Sequence, residues 1–351
     1  MQQKIPGASM ADADFNEQDY LAANPDVASA VGKGQFRSGW EHFETFGRKE
    51  GRPLNRFGKM SREDKALYAV DRKGLGLEIG PSHNPIAPKR RGFNVHTLDH
   101  ATAADLRSKY HGHGVNLDNI EEVDFVWTGQ PLSELIGRTQ CYAWIIASHV
   151  IEHVPDLISF LQQCEVLLKA DGVLSLVIPD KRYCFDHFLP PTSTGHLLDA
   201  WTERRTRPSH GQVFDHFANA SKRDGNIAWS PGGGGADALV HTLREARELW
   251  AHSRSATEYV DVHCWRFTPA SFRLVLSDLQ ALSLTGLGVR AEFDTTGCEF
   301  HVSLAKGCDP VNLDRFEGAE TPEGRRRMTQ WHSCQTCAWR QERPRASRVD
   351  R

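Results

Sequence analysis

The sequence predicts an α/β fold: a doubly wound, mostly parallel seven-stranded sheet closing in an antiparallel hairpin, with a small helical module ahead of it. Three observations carry that expectation. Short apolar runs at Leu75–Ile79, Asn94–Leu98, Glu122–Trp127, Ala143–Ala147 and Val173–Ile178 alternate with amphipathic segments, the pattern of parallel strands joined by crossover helices. The fourth run, Ala143–Ala147, is apolar on both faces, as a strand inside a parallel sheet must be. Val289–Phe293 and Phe300–Leu304 then alternate with period two around Asp294-Thr295-Thr296-Gly297, which predicts two closing strands and a short turn.

Residues 1–58 differ in character from the rest of the chain. Phe15 to Val31 reads as two short helices broken at Asn24-Pro25, because proline disfavours helix in the residue before it and can itself begin the next. A third helix is expected from Gly39 to Phe46, stopped at Gly47, and Tyr20, Leu21, Val27, Val31, Trp40, Phe43 and Phe46 form a small apolar core for the module. The polar, turn-rich stretch from Arg52 to Lys59 marks a boundary, and the main domain is expected over 59–308. Ser61 is placed to cap a lead helix with Glu63 and Asp64 in its first turn. Pro155-Asp156 opens a helix in which Leu157, Phe160, Leu161, Cys164, Leu167 and Leu168 share one face, ended by Asp171-Gly172. Residues 181–262 break the rhythm as a polar insertion rich in His and Trp, with a mobile centre expected at Gly232–Gly235. Following the fifth strand, the insertion lies at the carboxyl edge of the sheet, where a substrate lid belongs. Pro269–Leu282 reads as a helix, and residues 309–351, arginine-rich and apolar-poor, as a disordered tail.

Composition narrows the partners. With 351 residues, 39% of them hydrophobic, the chain can bury a substantial core, and a net charge of −3 supplies no basic field for nucleic acid. No 18-residue apolar run occurs and the first residues lack a secretory hydrophobic segment, so no membrane span and a cytoplasmic location are expected. The eight cysteines are scattered, and only Cys334 and Cys337 form a Cys-x-x-Cys pair, with His332 alone nearby. That falls short of a structural zinc set, and no metal is predicted.

The most informative stretch is Gly76-Leu-Glu-Ile-Gly-Pro-Ser-His-Asn-Pro85, followed by Asp99, 21 positions after Glu78. A glycine turn after a strand lets backbone approach a ligand, and a carboxylate at the tip of the next strand can accept hydrogen bonds from two ribose hydroxyls. The turn is not Gly-x-Gly-x-x-Gly and no Gly-x-x-x-x-Gly-Lys-Ser/Thr occurs, so the usual phosphate cradles are missing. A phosphate-free nucleoside fits, and S-adenosylmethionine is the obvious one.

Three stretches carry a family resemblance: Leu77-Glu-Ile-Gly-Pro-Ser-His-Asn-Pro85, Ala147-Ser-His-Val-Ile-Glu-His-Val-Pro155, and Leu168 to Asp180. With them, residues 74 to 305 resemble class I S-adenosylmethionine-dependent methyltransferases. The resemblance implies a Rossmann-like sheet, Glu78 and Gly80 at the methionine end of the cofactor with Pro81 and Ser82 in the same loop, Asp99 on its ribose, and Ser148 and His149 facing the sulfonium and the entering acceptor. The stretches Tyr20-Leu-Ala-Ala-Asn-Pro-Asp-Val27 and Gly39-Trp-Glu-His-Phe-Glu-Thr-Phe-Gly-Arg-Lys-Glu-Gly-Arg52 resemble a short module of bacterial secreted and surface-polysaccharide-associated proteins, which leans the acceptor toward a glycan; the plainer reading of the segment is a helical cap or a self-association element.

For a hydroxyl acceptor, His149, Asp180 and His187 are the candidate bases, since histidine titrates near neutrality and a strand-end carboxylate can assist. The segments Asp180–His187 and Asp261–Phe267 are dense in polar and aromatic groups and are expected to frame the acceptor pocket, with Arg182, Tyr183, His263 and Trp265 on the substrate; the competing reading puts Trp265 and Phe267 in the core and the arginines in solvent. If the segment after the fourth strand is helical, His149 and His153, four apart with Glu152 between them, share a face in a spacing that can bind metal, but His153 is read as a structural residue. The leading expectation is therefore methyl transfer to a small molecule or glycan hydroxyl. The rivals are a non-catalytic cofactor-binding or assembly module and an NAD(P)-dependent oxidoreductase, the latter disfavoured because Gly74 and Gly76 do not follow the strand, where a dinucleotide loop needs its glycines.

Overall fold

The computed structural model describes residues 15, 17–50, 52, 60–231, 235–256 and 258–308. The expectations for Gly232–Gly234, for most of the boundary stretch and for the tail with Cys334 and Cys337 lie outside those residues.

In the N-terminal segment, α1 (Glu17–Ala23) and α2 (Pro25–Gly32) meet at Asn24, whose position before proline ends the first helix as expected. The third helix does not stop at Gly47. α3 (Gly39–His42) widens into a π-turn over Phe43–Gly47 and continues into α4 (Arg48–Glu50). Gly47 is there for close approach: a Cβ at this position would lie 2.3 Å from the Tyr20 hydroxyl. Tyr20, Val27 and Phe43 are buried together, with Phe15, Leu21, Val31 and Trp40 around them. Phe46, expected inside, is 45% exposed and turns its ring to Phe36.

The α/β unit begins at α5 (Arg62–Ala66), with the Ser61 side chain accepting from the Asp64 amide as its cap. After it come β1 (Gly76–Ile79), β2 (Val95–Asp99), α6 (Ala103–Tyr110), β3 (Phe125–Val126), α7 (Leu132–Ile136), β4 (Tyr142–Ser148), α8 (Leu157–Leu167) and β5 (Leu168–Pro179). The insertion holds α9 (Thr194–Thr202), α10 (His210–Asn219), β6 (Ser221–Arg223), β7 (Asp237–Leu239) and α11 (Leu243–Ser253), before α12 (Pro269–Ala281), β8 (Leu287–Thr296) and β9 (Glu299–Lys306). The sheet order is β3-β2-β1-β4-β5-β9-β8, with β1 to β5 parallel and the β8–β9 hairpin antiparallel to β5. This is the doubly wound, seven-stranded sheet with a reversed hairpin that the pattern predicts.

Strand pleating sorts the core onto two faces. Ile145 and Ala147 of β4 face the large cluster made with Leu157, Phe160 and Leu161 of α8 and Phe272 and Leu276 of α12. Trp144 and Ile146 face the other way, onto Ala66, Leu67, Ile86, Val95 and Val177. The apolar stripe of α8 is buried where its spacing puts it, and Asp156 caps it by accepting from the Ser159 amide.

Three boundaries move. β3 keeps only two paired residues of the expected six, because at this edge the Asp124 carboxylate bonds the Thr97 amide at 2.6 Å and Lys89 Nζ at 2.5 Å. α8 ends at Leu167, since Leu168 already pairs with Tyr142. Residues 169–172 then form an irregularity before Val173 resumes the register opposite Trp144. The hairpin turns at Gly297-Cys298 and not at 294–297, with Thr296 opposite Glu299. The insertion is folded: β6 and β7 pair antiparallel, α10 packs on α11, and Leu197 and Ala200 of α9 enter the main core.

Candidate functional site

In an open parallel sheet, ligands bind beyond the carboxyl ends of the strands where the order reverses. Here that point lies between β1 and β4. The loop leaving β1 at Gly80 and the turn leaving β4 at Ser148 flank it. Gly80 has φ +66°, and a Cβ there would come within 2.8 Å of Val150 Cγ2, so the two loops are in contact and glycine is required. Ser82 and His149, neither of them glycine, also take left-handed backbone, with φ +46° and +53°. Strained residues collected at a strand edge are a mark of function.

Each carboxylate of the first motif has a defined place. Glu78 is buried in β1 and accepts from the amides of Ile86 at 2.6 Å and Ala87 at 3.0 Å, clipping the end of the loop to the strand. Burial pushes its carboxyl up to about 7 despite those amides. Asp99, buried at the tip of β2, accepts from the Ser82 amide at 2.9 Å and the His100 amide at 2.8 Å, with His100 Nδ1 at 2.7 Å. The glycine loop with Pro81 and Ser82, and the Asp99 carboxylate, therefore share one edge of the sheet.

Beyond β4 stands a charged cluster that sequence reasoning missed. Arg62 of α5 donates from Nε to Glu299 Oε1 at 2.7 Å and from Nη2 to Ser148 Oγ at 2.7 Å, while His149 Nε2 lies 2.7 Å from Glu299 Oε2. Burial alone would raise the Glu299 carboxyl, but the bonds from His149 and Arg62 hold it down at about 2. His301 nearby is pushed down to about 4 by burial, so it stays neutral. No local motif links positions 62, 149 and 299; only the sheet order sets them together.

Deeper, a cavity of about 180 Å³ is lined by His149, Glu152, His153, Pro179, Cys184, Phe185, His263 and Cys298, among others. The segment 259–265, at the end of the insertion, is bonded to the turn after β4 beside it. Cys264 and Trp265 amides donate to the Glu152 carbonyl, the Tyr259 hydroxyl to the His153 carbonyl, and Trp265 Nε1 to the Val154 carbonyl at 2.6 Å. These bonds carry His263 to the turn after β4. His263 Nδ1 lies 2.5 Å from Asp186 Oδ2, and His153 Nδ1 lies 2.7 Å from Asp261 Oδ1. Burial opposes charge on Asp186, yet His263 and Arg266 keep its carboxyl below the usual range; His153 holds Asp261 at about 2. His216, whose Nδ1 accepts from the His263 amide, is pushed down to about 4 by burial.

The two segments expected to frame a pocket thus meet, through Asp186 and His263, but not all of the named residues face it. His149 and His263 line the cavity. Asp180 is fully buried and committed, with Arg182 forking onto it at 2.9 Å and 2.6 Å and the Thr295 hydroxyl donating at 2.6 Å. Its lone pairs are taken by those donors. Arg182 consequently sits on Asp180 with its guanidinium over the Tyr183 ring, and His187 Nδ1 lies 2.8 Å from the Arg182 carbonyl, beside Trp229. Trp265 is core, as the competing reading has it, because its indole N–H is satisfied inside at Val154. Asp186 and Asp261 lie within the two framing segments; Asp186 pairs with His263 across them, while Asp261 pairs with His153 of the turn after β4, and the acids among these histidines were the signal available.

No family model matches the sequence, and no curated protein matches it. Among solved structures, the chain is similar to the mitomycin 7-O-methyltransferase MmcR at 13% identity and TM-score 0.33, over 76% of this chain and 60% of that one. It is similar to the CcbJ methyltransferase from Streptomyces caelestis at 15% and 0.34, over 70% and 97%. A protein from Rhodobacter sphaeroides described as a zinc-dependent alcohol dehydrogenase gives 12% and 0.39, over 74% and 92%. Likeness at this level assigns no activity. No helix among the described residues is long and apolar enough to cross a membrane.

Proposed function

We propose that the protein is an S-adenosylmethionine-dependent methyltransferase acting on a hydroxyl of a small molecule or glycan. The observation that carries this reading is the meeting of the β1 loop, the β2-tip carboxylate and the β4 turn at the reversal point of the sheet, with the Ser82 amide 2.9 Å from Asp99. The residues present fit a phosphate-free nucleoside: a carboxylate at a strand tip suits ribose, and no phosphate cradle accompanies it. Asp99, Gly80, Pro81 and Ser82 would hold the adenosyl part, with Glu78 fixing the loop and Ser148 at the opposite wall. When bound, the cofactor supplies an electrophilic methyl group on sulfur. Alignment then contributes much of the rate, roughly 7–11 kcal/mol in well-oriented systems.

His149 is the base this reading favours, because its ring borders the cavity and Glu299 beside it stabilises the imidazolium formed on taking a proton. Asp180 is withdrawn from that role by its arginine and threonine.

Calorimetric titration with S-adenosylmethionine, S-adenosylhomocysteine and NADH tests the reading. The two adenosyl-sulfur compounds should bind and NADH should not. Asp99→Ala should lose about 1–3 kcal/mol of S-adenosylhomocysteine affinity, the worth of a charge-assisted hydrogen bond. Binding of NADH without S-adenosylhomocysteine overturns it in favour of an oxidoreductase, and cofactor binding without turnover on a broad hydroxyl panel favours an assembly role.

A further inference from the structure

Glu152 poses a physical problem. It is 1% exposed, yet neither carboxylate oxygen accepts a hydrogen bond from the described residues; His149 Nδ1, the nearest ionisable partner, stands 3.6 Å off. A buried carboxylate left this way is costly unless something cationic compensates it. Two histidines converge on it. One ligand atom from each of Glu152, His153 and His263 lies within 4.8 Å of the others, at the wall of the 180 Å³ cavity. Both rings are oriented from behind by carboxylates, Asp261 on His153 Nδ1 and Asp186 on His263 Nδ1. That leaves Nε2 of each ring, which has no hydrogen-bond partner among the described residues, as the atom free to ligate. A carboxylate behind a histidine fixes its tautomer and strengthens it as a ligand, which is how metal-binding histidines are commonly supported.

We propose that Glu152, His153 and His263 bind a divalent first-row transition-metal ion at this cavity wall. Two imidazoles and one carboxylate suit such an ion better than Mg2+ or Ca2+, which prefer an all-oxygen shell. Three protein ligands leave positions open toward the cavity, where an oxygen of the acceptor can enter and lose its proton more easily. That last role rests on the methyl-transfer reading; the site itself does not.

The test uses the full chain carrying Cys334→Ser and Cys337→Ser, so that the tail thiols cannot contribute. After chelation, the protein is titrated with Co2+ and followed by its d–d absorption and by bound-metal analysis. The expected result is about one Co2+ per chain, with no thiolate charge-transfer band, displaced by Zn2+. Glu152→Gln and His263→Ala should each weaken Co2+ binding by more than about tenfold, and Asp186→Asn and Asp261→Asn by about 10- to 100-fold. Far-ultraviolet circular dichroism and thermal unfolding check folding. Should His263→Ala not fold, His153→Gln, whose side chain is 35% exposed, replaces it. No Co2+ bound, or unchanged binding in a folded Glu152→Gln protein, overturns the proposal. None of these readouts involves S-adenosylmethionine or turnover, so failure of the metal site and failure of methyl transfer are seen separately.

Discussion

Glu299 shows how one residue joins distant parts of the chain and how pH should act on the joint. Its carboxyl is held at about 2 by His149 and Arg62, against an ordinary value near 4.5. A depressed carboxyl stabilises the fold fully above its unfolded value, and the gain is lost as pH falls through the folded value. Between about pH 4.5 and 2 the wild-type protein should therefore lose about 1–3 kcal/mol that Glu299→Gln does not have to lose, read as a shallower acid limb in urea midpoints for the variant. An unchanged acid limb in Glu299→Gln would remove the cluster from the stability of the fold. Gly80 is the second sensitive position. Alanine there meets both a left-handed φ of +66° and Val150 at 2.8 Å, so Gly80→Ala should cost about 1–3 kcal/mol and weaken S-adenosylhomocysteine as well.

At the scale of elements, helices and strands are held by different means, and substitutions should separate them. α8 is held by its buried face, in which Leu161 is 1% exposed. Leu161→Ala should cost about 2–5 kcal/mol in a denaturant titration through lost burial and a cavity. α11 has Ala246 and Ser253 as its buried residues and starts at a reciprocal cap, Thr242 with Glu245. Thr242→Ala should cost only about 0.5–2 kcal/mol, chiefly as fraying seen by amide exchange. Equal losses at the two positions would contradict this division. The same contrast explains what is legible along the chain. α8 and the hairpin strands announce themselves by spacing, whereas β3 is short because Asp124 finds an amide and a lysine that no pattern reveals. Gly47 looks like a helix stop in the sequence because its real reason, the Tyr20 hydroxyl, reaches it only in the folded module.

For the whole molecule, the short lead helix does more than its five residues suggest. Arg62 reaches Glu299, Lys65 Nζ donates to Thr296 Oγ1 at 2.7 Å, the Ala66 carbonyl accepts from Ser175 Oγ at 2.6 Å, and Ala66 and Leu67 fill one face of the sheet. Removing residues 1–67 should therefore cost about 2–4 kcal/mol more than removing 1–59, a further fall of roughly 5–10 °C in the melting temperature. Equal melting temperatures for the two truncations would contradict it. The sequence by itself determined the alternation of strands and helices, the reversed hairpin, the buried face of α8, and the glycine loop with Asp99 opposite it, because period, capping and turn chemistry are local and are written along the chain. Only the tertiary structure decided that the Asp180 carboxylate is occupied by Arg182 and Thr295, that Trp265 is core, that Glu299 joins Arg62 to His149, and that Glu152, His153 and His263 face one another. Those facts depend on which segments the crossovers carry to the same edge of the sheet, and residues far apart along the chain share no local pattern from which their meeting can be read.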